Sequence, residues 1–158
     1  MVKNAECPIL LVPPSHDHLH FQKIVFACDH FGVYDDALAA IKYYSGSPDS
    51  QIDIIHVFQK GSEYMDKGVE VLNEDKEKHI KEVILFDPSF LDSIQAYVRN
   101  NDCDLIVMER KDRGFWKELF HVSRTRKMAV YSGVPLLVLH DDEIKSFASP
   151  ASEKEAAQ

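Results

Sequence analysis

A chain of 158 residues, 45% of them hydrophobic, is long enough to bury about two-thirds of the surface its unfolded form exposes, and it reads as one globular domain. Its 26 acidic and 18 basic residues give a net charge of −8, which argues against nucleic-acid or anionic-membrane binding through a general basic face. No run approaches the roughly 20 apolar residues of a membrane span, and the short apolar run near the N-terminus lacks a small-residue cleavage site, so it reads as structure rather than a secretory signal.

Cys7, Cys28 and Cys103 are dispersed and form no C-x-x-C, the pattern of small core residues in a reducing cytosol rather than of a disulfide frame or zinc site. The expected location is cytoplasmic. The first structural signal is Cys7–Val12 (CPILLV), where a proline precedes four aliphatic residues. It echoes Val134–Leu139 (VPLLVL), and proline in that place marks the start of an edge-type strand. His16, His18 and His20 fall on one side of an extended segment, a conceivable metal clip. With no fourth ligand and a linker position, they read instead as a solvated connector, and no metal is expected.

Continuous apolar runs then predict strands buried on both faces at Lys23–Cys28, Ile52–Phe58, Asp104–Met108 and Val134–Leu139, with a shorter one at Glu82–Phe86. His56, inside the second run, reads as a hydrogen-bonded core residue rather than a base. Between the strands, Asp35 or Asp36 is expected to cap a helix over 37–44, ended by Gly46 and Pro48. Residues 62–81, polar and charged, are expected to be helical in part. Asp87 or Ser89 should cap a helix whose Phe90, Leu91, Ile94, Tyr97 and Val98 make one apolar face. Residues 123–131 suggest a last helix closed by Gly133, and from Asp141 onward the composition predicts a flexible tail. Strands alternating with helices place the chain in the α/β class with a mostly parallel sheet.

Several of these segments resemble the universal stress proteins. Phe21–Asp29 (FQKIVFACD) is similar to the opening strand of that family with its terminal aspartate. Ile54–Val57 (IIHV) is similar to the second strand. Asp104–Met108, Ser123 and Gly133–Leu139 resemble the fourth strand, the start of the last helix and the last strand. Glu6–Pro13 resembles the last strand of a preceding copy of the domain. The resemblance implies a Rossmann-like three-layer sandwich with a mostly parallel five-stranded sheet and, here, an extra N-terminal edge strand. It divides the chain into residues 1–20 resembling the end of a preceding copy, a domain over 21–141 and a tail over 142–158. It also implies a cytoplasmic homodimer through Val134–Leu139, with Pro8–Val12 as a further pairing element, and an unidentified regulatory protein partner.

In some members of that family ATP is held by a G-x-x-G, nine residues, G-S/T loop, whose glycines let backbone N–H groups approach phosphate at a helix N-terminus. Laid on that pattern from Met108, this chain has Glu109, Asp112 and Val122 where glycines are required, and keeps only Ser123. A carboxylate about 5 Å from a phosphate charge costs roughly 0.8 kcal/mol in water and roughly 3 kcal/mol at an effective dielectric near 20. Phe115, Trp116, Leu119 and Phe120 read as a packed amphipathic turn rather than an adenine platform. A triad of His121, Ser123 and Asp29 lacks a G-x-S-x-G nucleophile turn, so no catalysis is expected. The expected function is therefore a non-catalytic stress-response or regulatory protein with a degenerate nucleotide loop and no cofactor. The alternative is an ATP-binding relative in which Arg110, Lys111 and Arg113 replace the glycines. In that case Asp29, Val57, Arg110, Arg113 and Ser123 would meet the nucleotide.

Overall fold

The computed structural model describes residues 7–17, 20–28, 31–58, 68–110 and 133–147. The apolar runs form β1 (Ile9–Leu11), β2 (Lys23–Ala27), β3 (Gln51–Phe58), β5 (Ile80–Phe86), β6 (Leu105–Arg110) and β7 (Leu136–His140), and a further strand, β4 (Gly68–Asp75), precedes β5. They make a single sheet in the order β1-β7-β6-β2-β3-β5-β4. The five central strands are parallel to their neighbours, and the two outer ones, β1 and β4, run antiparallel. The five expected parallel strands are thus all present, and the sheet carries two antiparallel edges rather than one.

Because successive side chains of a strand point to opposite faces, each central strand supplies two cores. Val25, Ala27, Ile55, Val83, Ile106 and Met108 lie beneath α2 (Phe90–Asn100). Ile24, Phe26, Ile52, Ile54, Leu105 and Val107 lie beneath α1 (Asp35–Ser45). In α1, Ala37, Leu38, Ala40 and Ile41 form the buried stripe. Its N-cap is Tyr34, with no side-chain cap bond, so Asp35 and Asp36 do not cap the helix as expected. They stand in its first turn, where carboxylates complement the helix dipole. Gly46 closes α1 in the left-handed conformation, with φ of 65°. Ser89 caps α2 as one of the two expected residues, accepting from Asp92 N at 3.3 Å.

The first departure from expectation is residues 68–79. They form β4 and a turn, not helix. The Asp75 carboxylate accepts from the backbone N–H groups of Glu77 and Lys78 at 3.1 and 3.0 Å, which fixes the hairpin turn, and His79 takes the left-handed conformation that the turn needs. The second departure is at Asp141, where the chain does not become a tail. Asp141–Lys145 forms α3, whose Ile144 is buried and whose neighbour Phe147 packs beside Tyr43 and Tyr44 of α1. Two apolar residues at helical spacing are enough to dock that segment on the core. The expected helix over 123–131 lies outside the described residues.

Pairing of Pro8–Val12 with the last strand is formed within the chain. Ile9, Leu10 and Leu11 stand opposite Val138, Leu137 and Leu136. The outer edge of β7 is thereby covered, as an apolar edge requires. At the amino-terminal end of the sheet, the Asp104 carboxylate accepts from Gln22 N and Lys23 N at 2.7 and 3.1 Å and ties the start of β6 to the start of β2.

Candidate functional site

Open α/β sheets bind ligands at the carboxyl ends of their strands, where the chain leaves the first strand in opposite directions. Here that point lies at the end of β2, which has β3 on one side and β6 on the other. Val57 stands near the end of β3, half-buried, and packs against the core beneath α2. Arg110 is the last residue of β6 and pairs with His140 of β7. The two positions thus flank β2 at the edge where Asp29 follows Cys28 in the sequence. Asp29, Arg113 and Ser123 lie outside the described residues, as do His18, Asp112, His121 and Val122. Among the described residues no group of three histidine, cysteine or acidic side chains is arranged to hold a metal.

Glu109 also lies at this edge. It sits next to the end of β6, on the face shared with Leu105 and Val107, and is only 5% exposed. Position 109, where the expected pattern would begin with glycine, is therefore a buried carboxyl group at the carboxyl end of a central strand.

The structure assembles a second polar group beside this edge. His56 of β3 is 3% exposed, and its Nε2 lies 2.9 Å from Oε1 of Glu82 on β5 and 3.2 Å from the Tyr34 hydroxyl. Tyr34 donates its one hydroxyl proton to the same Glu82 oxygen at 2.7 Å. Nε2 of His56 thus shares the Glu82 oxygen with the Tyr34 hydroxyl. Nδ1 is buried and has no hydrogen-bond partner among the described residues. The Phe31 ring stacks over the imidazole with centroids 4.1 Å apart. Burial and then the Glu82 hydrogen bond push the Tyr34 hydroxyl well above the usual phenol range, so it stays protonated as a donor. A cavity of about 230 Å³ adjoins the cluster, between the start of α1 and the β4–β5 hairpin, with Leu38, Ile54 and Ile80 as apolar walls and Asp35, Asp75 and Glu82 as acidic ones.

His56 is thus the hydrogen-bonded core residue that its sequence position suggested. Its partners were not anticipated, because Glu82 lies 26 residues away in sequence and reaches it only across two parallel strands. A carboxylate, an imidazole and a phenol can orient one another and hold a proton in place. Among the described residues, the hydrogen bonds of the cluster join one phenol, one imidazole and one carboxyl group.

No family model matches the chain, and no curated protein matches it. Among solved structures, a universal stress protein from Archaeoglobus fulgidus DSM 4304 is similar over 85% of this chain, with a TM-score of 0.51 and 18% identity. The match takes up 50% of that protein, so this chain spans half its length. A second universal stress protein from Archaeoglobus fulgidus is similar over 75% of this chain and 93% of its own, with a TM-score of 0.44 and 14% identity. The order of five parallel strands, the helical layers on both faces and the first of these superpositions agree: the chain has the fold of the universal stress proteins.

Proposed function

We propose that the protein is a non-catalytic, universal-stress-protein-like regulatory protein that acts in the cytoplasm through dimerisation and contacts with other proteins, with no ATP bound. The observation that carries this reading is Glu109, a buried carboxyl group at the point where the phosphate loop of ATP-binding relatives begins. A carboxyl side chain there brings bulk and acceptor oxygens where the glycine pattern offers only backbone N–H donors to a phosphate. The three cysteines, none of them in a disulfide, fit a reducing compartment. None of the described helices is long and apolar enough to cross a membrane. The dimer contact proposed is the β1–β7 side of the sheet, where Leu10 and Val12 remain exposed.

The test is nucleotide content. Purified protein, denatured in acid and analysed by chromatography, is expected to release no nucleotide, and added Mg-ATP is expected to leave its thermal midpoint unchanged. Close to one nucleotide per chain, or a rise of several degrees on addition of Mg-ATP, would support the alternative in which Arg110, Lys111 and Arg113 take the place of the glycines.

A further inference from the structure

We infer that the open edge of β4 is a docking site for an extended segment of another protein whose side chains alternate between apolar and basic. This inference does not depend on whether the nucleotide loop is functional, and it concerns the side of the sheet opposite to the proposed dimer contact. Strand β4 is last in the sheet order, and among the described residues no strand pairs with its outer edge. Seven of its eight residues are exposed. An eight-residue edge whose outer backbone N–H and C=O groups are taken up by no described strand is a template for strand addition.

The side chains of β4 say what should be added. Val69 and Val71 stand opposite Leu85 and Val83 of β5, so they share the face that α2 covers farther in, yet they are 65% and 51% exposed. Glu70, Asn73 and Asp75 stand opposite Ile84, Glu82 and Ile80 and share the other face. Along Gly68–Val71 an added strand would therefore meet valines on one face and Glu70 on the other, and period-two alternation of apolar and basic residues satisfies both. Beyond the register shift Glu74, opposite Lys81, falls on the valine face. The register shift between Val71 and Asn73 sets off Gly68–Val71 as the regular part of the edge, with Glu74 and Asp75 beyond it.

A second copy of this chain fits less well. The segment Gly68–Asp75 holds three carboxylates and no lysine or arginine, so self-pairing would line one seam with two such sets. The net charge of −8 on each chain adds to that repulsion and favours a basic partner.

The test uses the full chain, labelled with nitrogen-15, and a blocked synthetic peptide of alternating valine and lysine. Binding is expected to shift the amide signals of residues 68–75 and to slow hydrogen exchange at alternate positions among them. A peptide of equal charge interrupted by proline should not bind, and Glu70→Lys should weaken binding about tenfold. The milder Glu70→Gln, with an unchanged spectrum outside β4, should weaken it less, which separates lost charge from lost folding. Equal binding of the proline-interrupted peptide, shifts located elsewhere, or no binding would overturn the inference. So would a concentration-dependent dimer of the free chain protected at residues 68–75, since the occupant would then be a second copy.

Discussion

Tyr97→Phe is expected to lower the stability of the fold by about 3 kcal/mol, because it removes the hydroxyl group and leaves a buried carboxyl oxygen without its donor. Asp53 lies in β3 at 0% exposure. Its Oδ2 accepts from the Tyr97 hydroxyl at 2.9 Å, and its Oδ1 accepts from Gln51 Nε2 at 2.8 Å. Tyr97 is itself buried on the apolar face of α2, so the bond pins that helix to the middle of the sheet. A typical exchange of a water bond for a protein bond is worth only about 1 kcal/mol; the larger figure comes from stranding the acceptor where water cannot reach it. Asp53→Asn combined with Tyr97→Phe should recover part of the loss, since a neutral amide is cheaper to leave half-satisfied than a carboxylate. Urea unfolding measures both. A single-variant loss under about 0.5 kcal/mol would mean that the network contributes little to stability.

The second large effect is a fall in stability with alkaline pH. Cys103 follows α2 at the same end of the sheet and is nearly buried. Burial, followed by the nearby Asp53 charge, pushes its thiol up to about 12. The folded chain therefore keeps a proton that the unfolded chain releases from about pH 9. More protons bound in the folded state means that stability is complete below about pH 9 and declines as the pH rises toward about 12. At about pH 10.5 the thiol should cost between about 1 and about 2 kcal/mol once solvent screening is allowed for. Tyr34 and Tyr97, both held above the usual phenol range by burial first, extend the decline at higher pH. Comparing urea midpoints at about pH 8 and about pH 10.5 for the parent chain and Cys103→Ala isolates the thiol's share. Parallel losses in the two proteins would remove Cys103 from the explanation.

The central sheet was legible because its strands are buried on both faces and so read as unbroken apolar runs, as in Lys23–Ala27 and Gln51–Phe58. β4 was not legible for the converse reason. An exposed edge strand needs no apolar period, and Gly68–Asp75 is mostly polar. The available signals were the alternation of Val69, Glu70 and Val71 and the Asp75 turn after them. α3 was hidden in a polar run whose only markers are Ile144 and Phe147. At the candidate site the sequence pointed to Glu109 as a wrong residue for a phosphate loop, but only the structure shows how deeply it is buried. The Tyr34–His56–Glu82 cluster depends on strand register and on the start of α1, which no local pattern encodes.

The reading of the whole molecule turns on whether the carboxyl edge of β2 and β6 still accepts a nucleotide. Isothermal titration of the full chain with Mg-ATP tests this directly. The buried Glu109 predicts no heat beyond dilution up to about millimolar nucleotide, and a saturable isotherm with a micromolar dissociation constant would contradict it.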